Sequence, residues 1–318
     1  MPPRVSILLP TYEPDPAHLH AAIESVFAQS IPDWELLIHD DASAADVGGM
    51  LQDVLEDARV KFVRSEKRQG IGGNWNTCMA RANAEFVQFL FQDDVWDSRY
   101  LERAVKQMDD ARIGLVATHH TYLFDGPIEP DRQAMYQTLE RIRLGTFHDG
   151  WNDGQVFLRN WIEAGLRPNV VGEPSFVLLR KTLTEKAGRF REDMPQGLDS
   201  EYWLRCVLNN DIAFVSEAGG QFRVHAKGAS AQNDAEGNGL YDRLGYFETL
   251  LQLLPNGELK RTTRHSLSQQ FAEMLRKFFA RKQDGGSVGG GGASVLVRMA
   301  LRHPILLMRG MWQFLSRT

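Results

Sequence analysis

The 318-residue chain is 43% hydrophobic and 24% charged, a composition that buries a full core and excludes a disordered protein. It has no uninterrupted apolar run of about 18 residues, and the start Met1-Pro2-Pro3-Arg4 leads directly into strand-like sequence, so neither a spanning helix nor a secretory signal is expected. The net charge of −5 hides a split: residues 259–318 carry 11 Lys/Arg against 2 Asp/Glu, which leaves 25 against 39 for residues 1–258. A basic tail attracts anionic surfaces, while an acidic body repels an anionic substrate unless a cation intervenes. Cys78 and Cys206 lie far apart in expected helices, which suggests neither a disulfide framework nor a cysteine metal site and fits a reduced, cytosolic compartment.

In chain order, Arg4 to Pro10 is a short apolar run, and His18 to Gln29 places Leu19, Ala22, Ile23, Val26 and Phe27 at helical spacing. Trp34 to His39 repeats the strand signal and ends at Asp40-Asp41-Ala42-Ser43. Met50, Leu51, Val54 and Leu55 predict a second amphipathic helix, and Val60 to Val63 a third strand. The Gly-rich stretch Gly70 to Asn76 opens a helix reaching about Ala82. Phe86 to Phe91 is a fourth strand ending at Gln92-Asp93-Asp94, followed by a helix over Ser98–Asp110 and a strand over Gly114–Thr121. Strands alternating with helices predict a mostly parallel sheet covered on both faces. The polar stretch from Tyr122 to Gly150 takes no assignment. Beyond it come a helix near Gly154–Glu163, the apolar run Phe176–Leu179 after Gly172-Glu173-Pro174-Ser175, a helix over Asp199–Asn209, and short strands at Ile212–Val215 and Gln221–Val224. Helical pattern then resumes from Leu240. Gly285 to Gly292 holds six glycines in eight positions and reads as a linker, and Ser294–Thr318 is basic and aromatic.

Two strand ends thus carry an Asp-Asp pair, and in a parallel sheet both open on one edge, where α/β folds bind ligands. Paired carboxylates there suit a divalent cation and the polar groups of a nucleotide. Taken alone, an Asp-Asp pair after a strand is more often a solvated turn or a helix cap.

Val5-Ser6-Ile7-Leu8-Leu9-Pro10-Thr11-Tyr12, Ala22 to Ser30, and Trp34 to Ser43 together resemble the opening of family 2 glycosyltransferases. The resemblance continues through Gly70–Asn76, Ala84-Glu85-Phe86, Gln92-Asp93-Asp94 with Trp96, Asp199 to Arg205, and Phe222-Arg223-Val224-His225, covering about residues 4 to 230. It implies a GT-A fold: a Rossmann-like, nucleotide-sugar-binding half at 1–121, an acceptor-binding half with the catalytic base at 122–235, and here a helical extension at 236–284, a linker at 285–293 and a basic amphipathic tail at 294–318. It also implies inverting transfer from a nucleoside-diphosphate sugar, UDP- or dTDP-linked, to a glycan or lipid-linked acceptor in cell-envelope polysaccharide biosynthesis, with Mg²⁺ or Mn²⁺ as cofactor and no nucleic-acid partner.

Carried over residue by residue, Pro10, Thr11 and Tyr12 would line the base pocket, with Tyr12 stacking on the ring. Asp41 would accept from the base, and Asn76 would sit at the nucleotide. Asp93 would face the ribose or the metal, Asp94 would be the principal metal ligand, and Asp199 would be the catalytic base. His225 would reach the metal or the diphosphate, against the alternative of a structural histidine. The chain departs from the family pattern at Trp75, where an arginine often precedes the asparagine, at Gln92, where many relatives have another acid, and at Leu198, where a glutamate is common. Competing readings are a non-catalytic sugar-nucleotide-binding protein and a sugar nucleotidyltransferase. The tail either lies peripherally on an anionic membrane face or packs on its own domain or a second subunit.

Overall fold

The computed structural model describes residues 2–194, 196–226, 228–230, 233, 242–283 and 301–315. The expected linker and the first residues of the tail lie outside them. Four parallel strands form one half of the main sheet: β1 (Val5–Thr11), β2 (Trp34–Asp40), β3 (Val60–Arg64) and β4 (Phe86–Phe89). The sheet order is β3-β2-β1-β4-β9-β6-β10-β8, with β6 (Ile113–Thr118), β8 (Gly150–Asn152), β9 (Val177–Arg180) and β10 (Asp211–Val215) completing it. β9 runs antiparallel between β4 and β6, and β8 antiparallel beside β10, so six of the eight strands share a direction. A second sheet joins β5 (Val95–Trp96), β11 (Gly220–Val224) and β7 (Thr121–Phe124).

Strand alternation divides the core between two faces. Val5, Ile7 and Leu9 of β1 pack with Leu19, Ile23 and Val26 of α1 (Pro16–Phe27) and with Leu101 and Val105 of α4 (Tyr100–Gln107). Leu8, with Val87 and Phe89, packs on the other face against Trp75 and Cys78 of α3 (Gly70–Arg81), Leu158 and Trp161 of α6 (Gly154–Glu163), and Tyr202, Trp203 and Cys206 of α8 (Leu198–Val207). The expected doubly covered α/β layer is therefore observed, and both cysteines are free and buried.

Two expectations are corrected, and one unassigned stretch acquires a structure. The helix read from Met50, Leu51, Val54 and Leu55 is only the four-residue α2 (Val47–Met50), followed by turns; Gly48 and Gly49 supply little helix propensity, and Asp46 spends its carboxylate capping Gly49. The strand read as Gly114–Thr121 ends at Thr118, and Thr121 starts β7 in the second sheet. The unassigned stretch contains the 17-residue α5 (Pro130–Thr146), whose interior buries little beyond Tyr136 and Arg143, which is why no apolar stripe announced it. A short helix, α7 (Lys181–Ala187), follows β9. C-terminally come α9 (Asp242–Leu253), α10 (Glu258–Gln283) and, within the segment read as a tail, α11 (Pro304–Leu315). Among the described residues no helix is long and apolar enough to cross a membrane.

Candidate active site at the sheet edge

The carboxyl ends of β1 and β2 are stitched together before any ligand is considered. Asp40 is fully buried and accepts from Thr11 Oγ1 (3.2 Å), Ser43 N (3.0 Å) and Ser43 Oγ, with Arg64 at 3.4 Å. Glu13 and Ala42, at φ 44° and 58°, are held in the left-handed region by cross-links between the two loops: Glu13 N donates to Ser43 Oγ (2.8 Å) and Ala44 N to Glu13 Oε1 (2.6 Å). Such strain persists only where neighbours over-determine it, as at ligand-binding edges.

Asp41 is buried and accepts from Gln69 N (2.7 Å) and Gly70 N (2.9 Å), so it caps the start of α3 from a distant strand. Gly70, at φ 78°, permits that turn. Of the three residues expected to line a base pocket, Pro10 and Thr11 are buried, and the Thr11 hydroxyl is committed to Asp40. Tyr12 is 37% exposed with the Arg68 guanidinium 4.1 Å over its ring, a flat cationic platform. Gln92 locks the Tyr12 peptide in both directions, accepting from Tyr12 N (2.9 Å) and donating to Tyr12 O (3.2 Å). That pairing gives the neutral amide, where relatives often have an acid, a definite task.

Asn76 stands apart from this pocket. Its amide donates to Phe190 O (3.0 Å) and Glu192 Oε1 (3.0 Å) and accepts from Phe190 N (2.8 Å), so it clamps the loop around residue 190 rather than leaving a group free for a nucleotide. A Cβ at Gly72 would come within 3.0 Å of Glu192 Cα, so the Gly-rich stretch admits that loop. Trp75, in place of arginine, stacks on Phe91 (4.9 Å between centroids) and meets Phe190 edge-on (5.2 Å), an aromatic cluster in place of a diphosphate contact.

The acid pair after β4 divides by burial. Asp94 is 0% exposed, and both oxygens are engaged, by Ser175 Oγ (2.5 Å) and Arg223 N (3.0 Å). Burial first, and the Asp93 charge next, push its carboxyl well above the ordinary range. Asp94 thus ties β4 to β11 and to the 3-10 turn Pro174–Phe176. The expected principal metal ligand is accordingly spent on protein contacts. Asp93 instead faces outward: its Oδ2 lies 3.0 Å from His225 Nε2, with side chains 22% and 20% exposed. Arg223 braces that pair, donating from Nε to Asp93 O (3.0 Å) and from Nη1 to Asp125 Oδ2 (3.3 Å). His18, whose Nε2 is 3.0 Å from Asp125 Oδ2, meets the His225 ring edge-on at 5.8 Å.

Asp199 is half-buried in the first turn of α8. Its Oδ1 accepts from Ser200 N (2.6 Å) and its Oδ2 from Asn169 Nδ2 (2.9 Å). Burial raises its pKa to about 7, with the Glu173 charge adding to the rise. Arg205 does not reach the site; it pairs with Glu201 (2.8 Å) and holds Ala187 O and Arg189 O, anchoring the loop below α8.

Sequence reasoning missed the group that joins these parts. Arg143 of α5 is fully buried, with Nη1 2.8 Å from His120 Nε2 and Nη2 donating to Tyr122 Oη (3.2 Å) and Glu173 Oε2 (3.0 Å). His120 Nε2 is 2.6 Å from Glu173 Oε2, and its ring stacks on Phe176 at 4.1 Å. Asn169 and Trp203 grip Gly172 O at 3.2 and 3.0 Å. The segment 172–176 therefore runs from the Asp199 neighbourhood to the Asp94 anchor. His119 and His120, following a strand at its carboxyl end, were the available signal.

The family model described as glycosyl transferase family 2 matches residues 6–166. This chain belongs to that family. The UDP-Glc:alpha-D-GlcNAc-diphosphoundecaprenol beta-1,3-glucosyltransferase WfgD of Escherichia coli is 34% identical over 104 residues, 33% of this chain and 40% of WfgD. The succinoglycan biosynthesis protein ExoW of Rhizobium meliloti is 26% identical over 231 residues, 69% of this chain and 68% of ExoW. Two further curated relatives are covered over 65% and 24% of their lengths. The family 2 chain shares its fold with residues 1–349 of S. aureus TarS in complex with UDP-GlcNAc (TM-score 0.64, 17% identity, 98% of this chain and 80% of that one). It likewise shares it with the mannosyltransferase PcManGT of Pyrobaculum calidifontis in complex with GDP-Man and Mn²⁺ (TM-score 0.60, 17% identity, 99% and 88%). The GT-A-like architecture expected from the resemblance is thereby established.

Proposed function

We propose that this chain transfers a sugar from a nucleoside-diphosphate donor to an acceptor hydroxyl, inverting the anomeric centre, with Asp199 as general base. The observation that carries this reading is the Asp199 carboxylate itself: oriented by two donors, held at a pKa of about 7, and joined through residues 172–176 to the Asp93–Asp94 strand end. A base poised near neutral pH combines availability with proton affinity. As the acceptor oxygen bonds to the anomeric carbon, its proton passes to Asp199. The carbon–oxygen bond to the diphosphate breaks on the opposite face, and the nucleoside diphosphate leaves with the electron pair. No covalent intermediate is required.

The Tyr12–Arg68 platform suits a stacked base, and the UDP-Glc in the name of WfgD supports a UDP- or dTDP-linked donor. Asp93 and His225 place a carboxylate oxygen and an imidazole nitrogen side by side and partly exposed; these are the residues that would hold Mg²⁺ or Mn²⁺ brought with the donor. Bound there, such an ion offsets charge on the leaving diphosphate. Asp94 acts by holding that strand end in place. The names of WfgD and ExoW support a glycan or lipid-linked acceptor in envelope polysaccharide synthesis.

Two substitutions test the donor half. Asp93→Ala should weaken Mn²⁺-dependent UDP binding by at least on the order of tenfold in calorimetry while leaving metal-free binding unchanged. An unaltered Mn²⁺ increment would remove Asp93 from the metal site. Arg68→Ala should weaken UDP binding by a factor of about three, the loss of one exposed cation–aromatic contact, with the metal increment intact. Release of sugar from a panel of nucleotide-sugar donors, with and without Mn²⁺, tests transferase chemistry directly; no turnover of any donor would refute the reading.

A further inference from the structure

The expected tail helix packs on its own chain and still leaves an apolar row uncovered. α11 lies along α10, burying Leu307 and bringing Gly310 against Phe271 and Ser268 O. On its outer side Ile305, Met308 and Trp312, spaced three and four residues apart, form one stripe with Met311 beside it, and Leu301 lies ahead of the break at His303. Their exposures run from 50% at Met311 through 71% at Trp312 to 79% at Leu301. Beside the stripe, Arg261, Arg264, His265 and Ser268 of α10 face Arg309 and Trp312 of α11 across an open cleft of about 490 Å³. Among the described residues, Arg261, Arg264 and Arg309 make no ion pair. The nearby acids are committed elsewhere, Glu258 to Arg159 (2.8 Å) and Glu248 to Arg302 and Arg191.

We propose that this face of α10 and α11 binds the surface of an anionic phospholipid membrane. The apolar stripe enters the acyl boundary, and lipid phosphates occupy the arginine cleft. Charge complementarity selects this occupant: unpaired guanidiniums beside a row of Ile, Met and Trp match a surface that is anionic at the headgroup and apolar just beneath it. Trp312, an amphipathic ring beside the cleft, suits the interface between the two. The arrangement lies on the C-terminal helices, remote in sequence from the transfer site, and does not depend on the function proposed for that site.

Cosedimentation of the full chain with vesicles of phosphatidylcholine, alone or mixed with phosphatidylglycerol, tests the proposal. Binding is expected only to the mixed vesicles and should fall with added salt. Arg264→Gln combined with Arg309→Gln should lower partitioning roughly 25-fold. Trp312→Ser should lower it while leaving the charge dependence. Unchanged thermal melts and unchanged turnover of a water-soluble acceptor would show that these variants remain folded. Absent binding, equal binding to both vesicle types, or insensitivity to the arginine pair would each overturn the proposal. So would calorimetric uptake of inorganic phosphate without vesicle attachment, or a vesicle-free dimer abolished by Trp312→Ser.

Discussion

Asp199→Asn is expected to reduce turnover by about 10²- to 10⁴-fold, the range for loss of a positioned general base, while UDP affinity stays within about twofold. The amide keeps the shape that accepts from Ser200 N and faces Asn169 but cannot take the acceptor proton. The wild-type chain should show kcat/KM falling tenfold per pH unit below about 7, since burial, reinforced by Glu173, leaves the base protonated there, and the variant should lose that limb. Folding offers an internal control. A carboxyl raised from 3.8 to about 7 in the folded state penalises the folded state increasingly as pH climbs between those values. The asparagine variant should therefore be no less stable than wild type at pH 8, so lost activity cannot be ascribed to unfolding. Steady-state kinetics with a parallel UDP titration decide it; equal losses in turnover and affinity would move Asp199 from base to binding residue.

Glu173→Ala is expected to cost about 3–5 kcal/mol of stability, because it strands the fully buried Arg143 guanidinium without its carboxylate. Chemical denaturation would show the loss, and a midpoint shift of under a tenth of the wild-type value would refute it. The same group makes the fold acid-sensitive in two stages. His120 is held down at about 4, by burial first and the Arg143 charge next, against 6.5 when free. The unfolded chain therefore binds that proton first, and stability declines as pH falls from about 6.5 through 4. Burial works against the Glu173 carboxylate, but the His120 and Arg143 charges outweigh it and bring it to about 2 from 4.5. Its contribution is present above 4.5 and is lost as pH falls through 2. In Glu173→Ala the lower stage should vanish.

Periodicity and punctuation revealed most elements because they are local properties: Val5–Thr11, Trp34–Asp40 and Gly154–Glu163 were all readable as apolar runs or helical stripes. The short α2 and the long α5 were not, since Gly48 and Gly49 broke one apolar pattern and α5 has almost none to display. At the site, residue type and order pointed to Asp93, Asp94, Asp199 and His225 as the chemistry-bearing groups. The division of labour among them is a matter of direction, which spacing does not encode. Asp93 and Asp94 lie in the turn between β4 and β5, and the contacts that turn makes decide their directions: one emerges beside His225 and the other turns inward to Ser175 and Arg223.

The sequence alone therefore determined the family, the doubly covered α/β layer and the list of candidate acids, all carried by short-range pattern and by motif order. Tertiary structure alone decided three further things: that Asn76 clamps a loop, that Gln92 locks the Tyr12 peptide, and that a buried Arg143–His120–Glu173 group holds the segment between Asp199 and the strand end. Each is a contact between residues at least 23 positions apart, and partners that distant meet only when the sheet order is set.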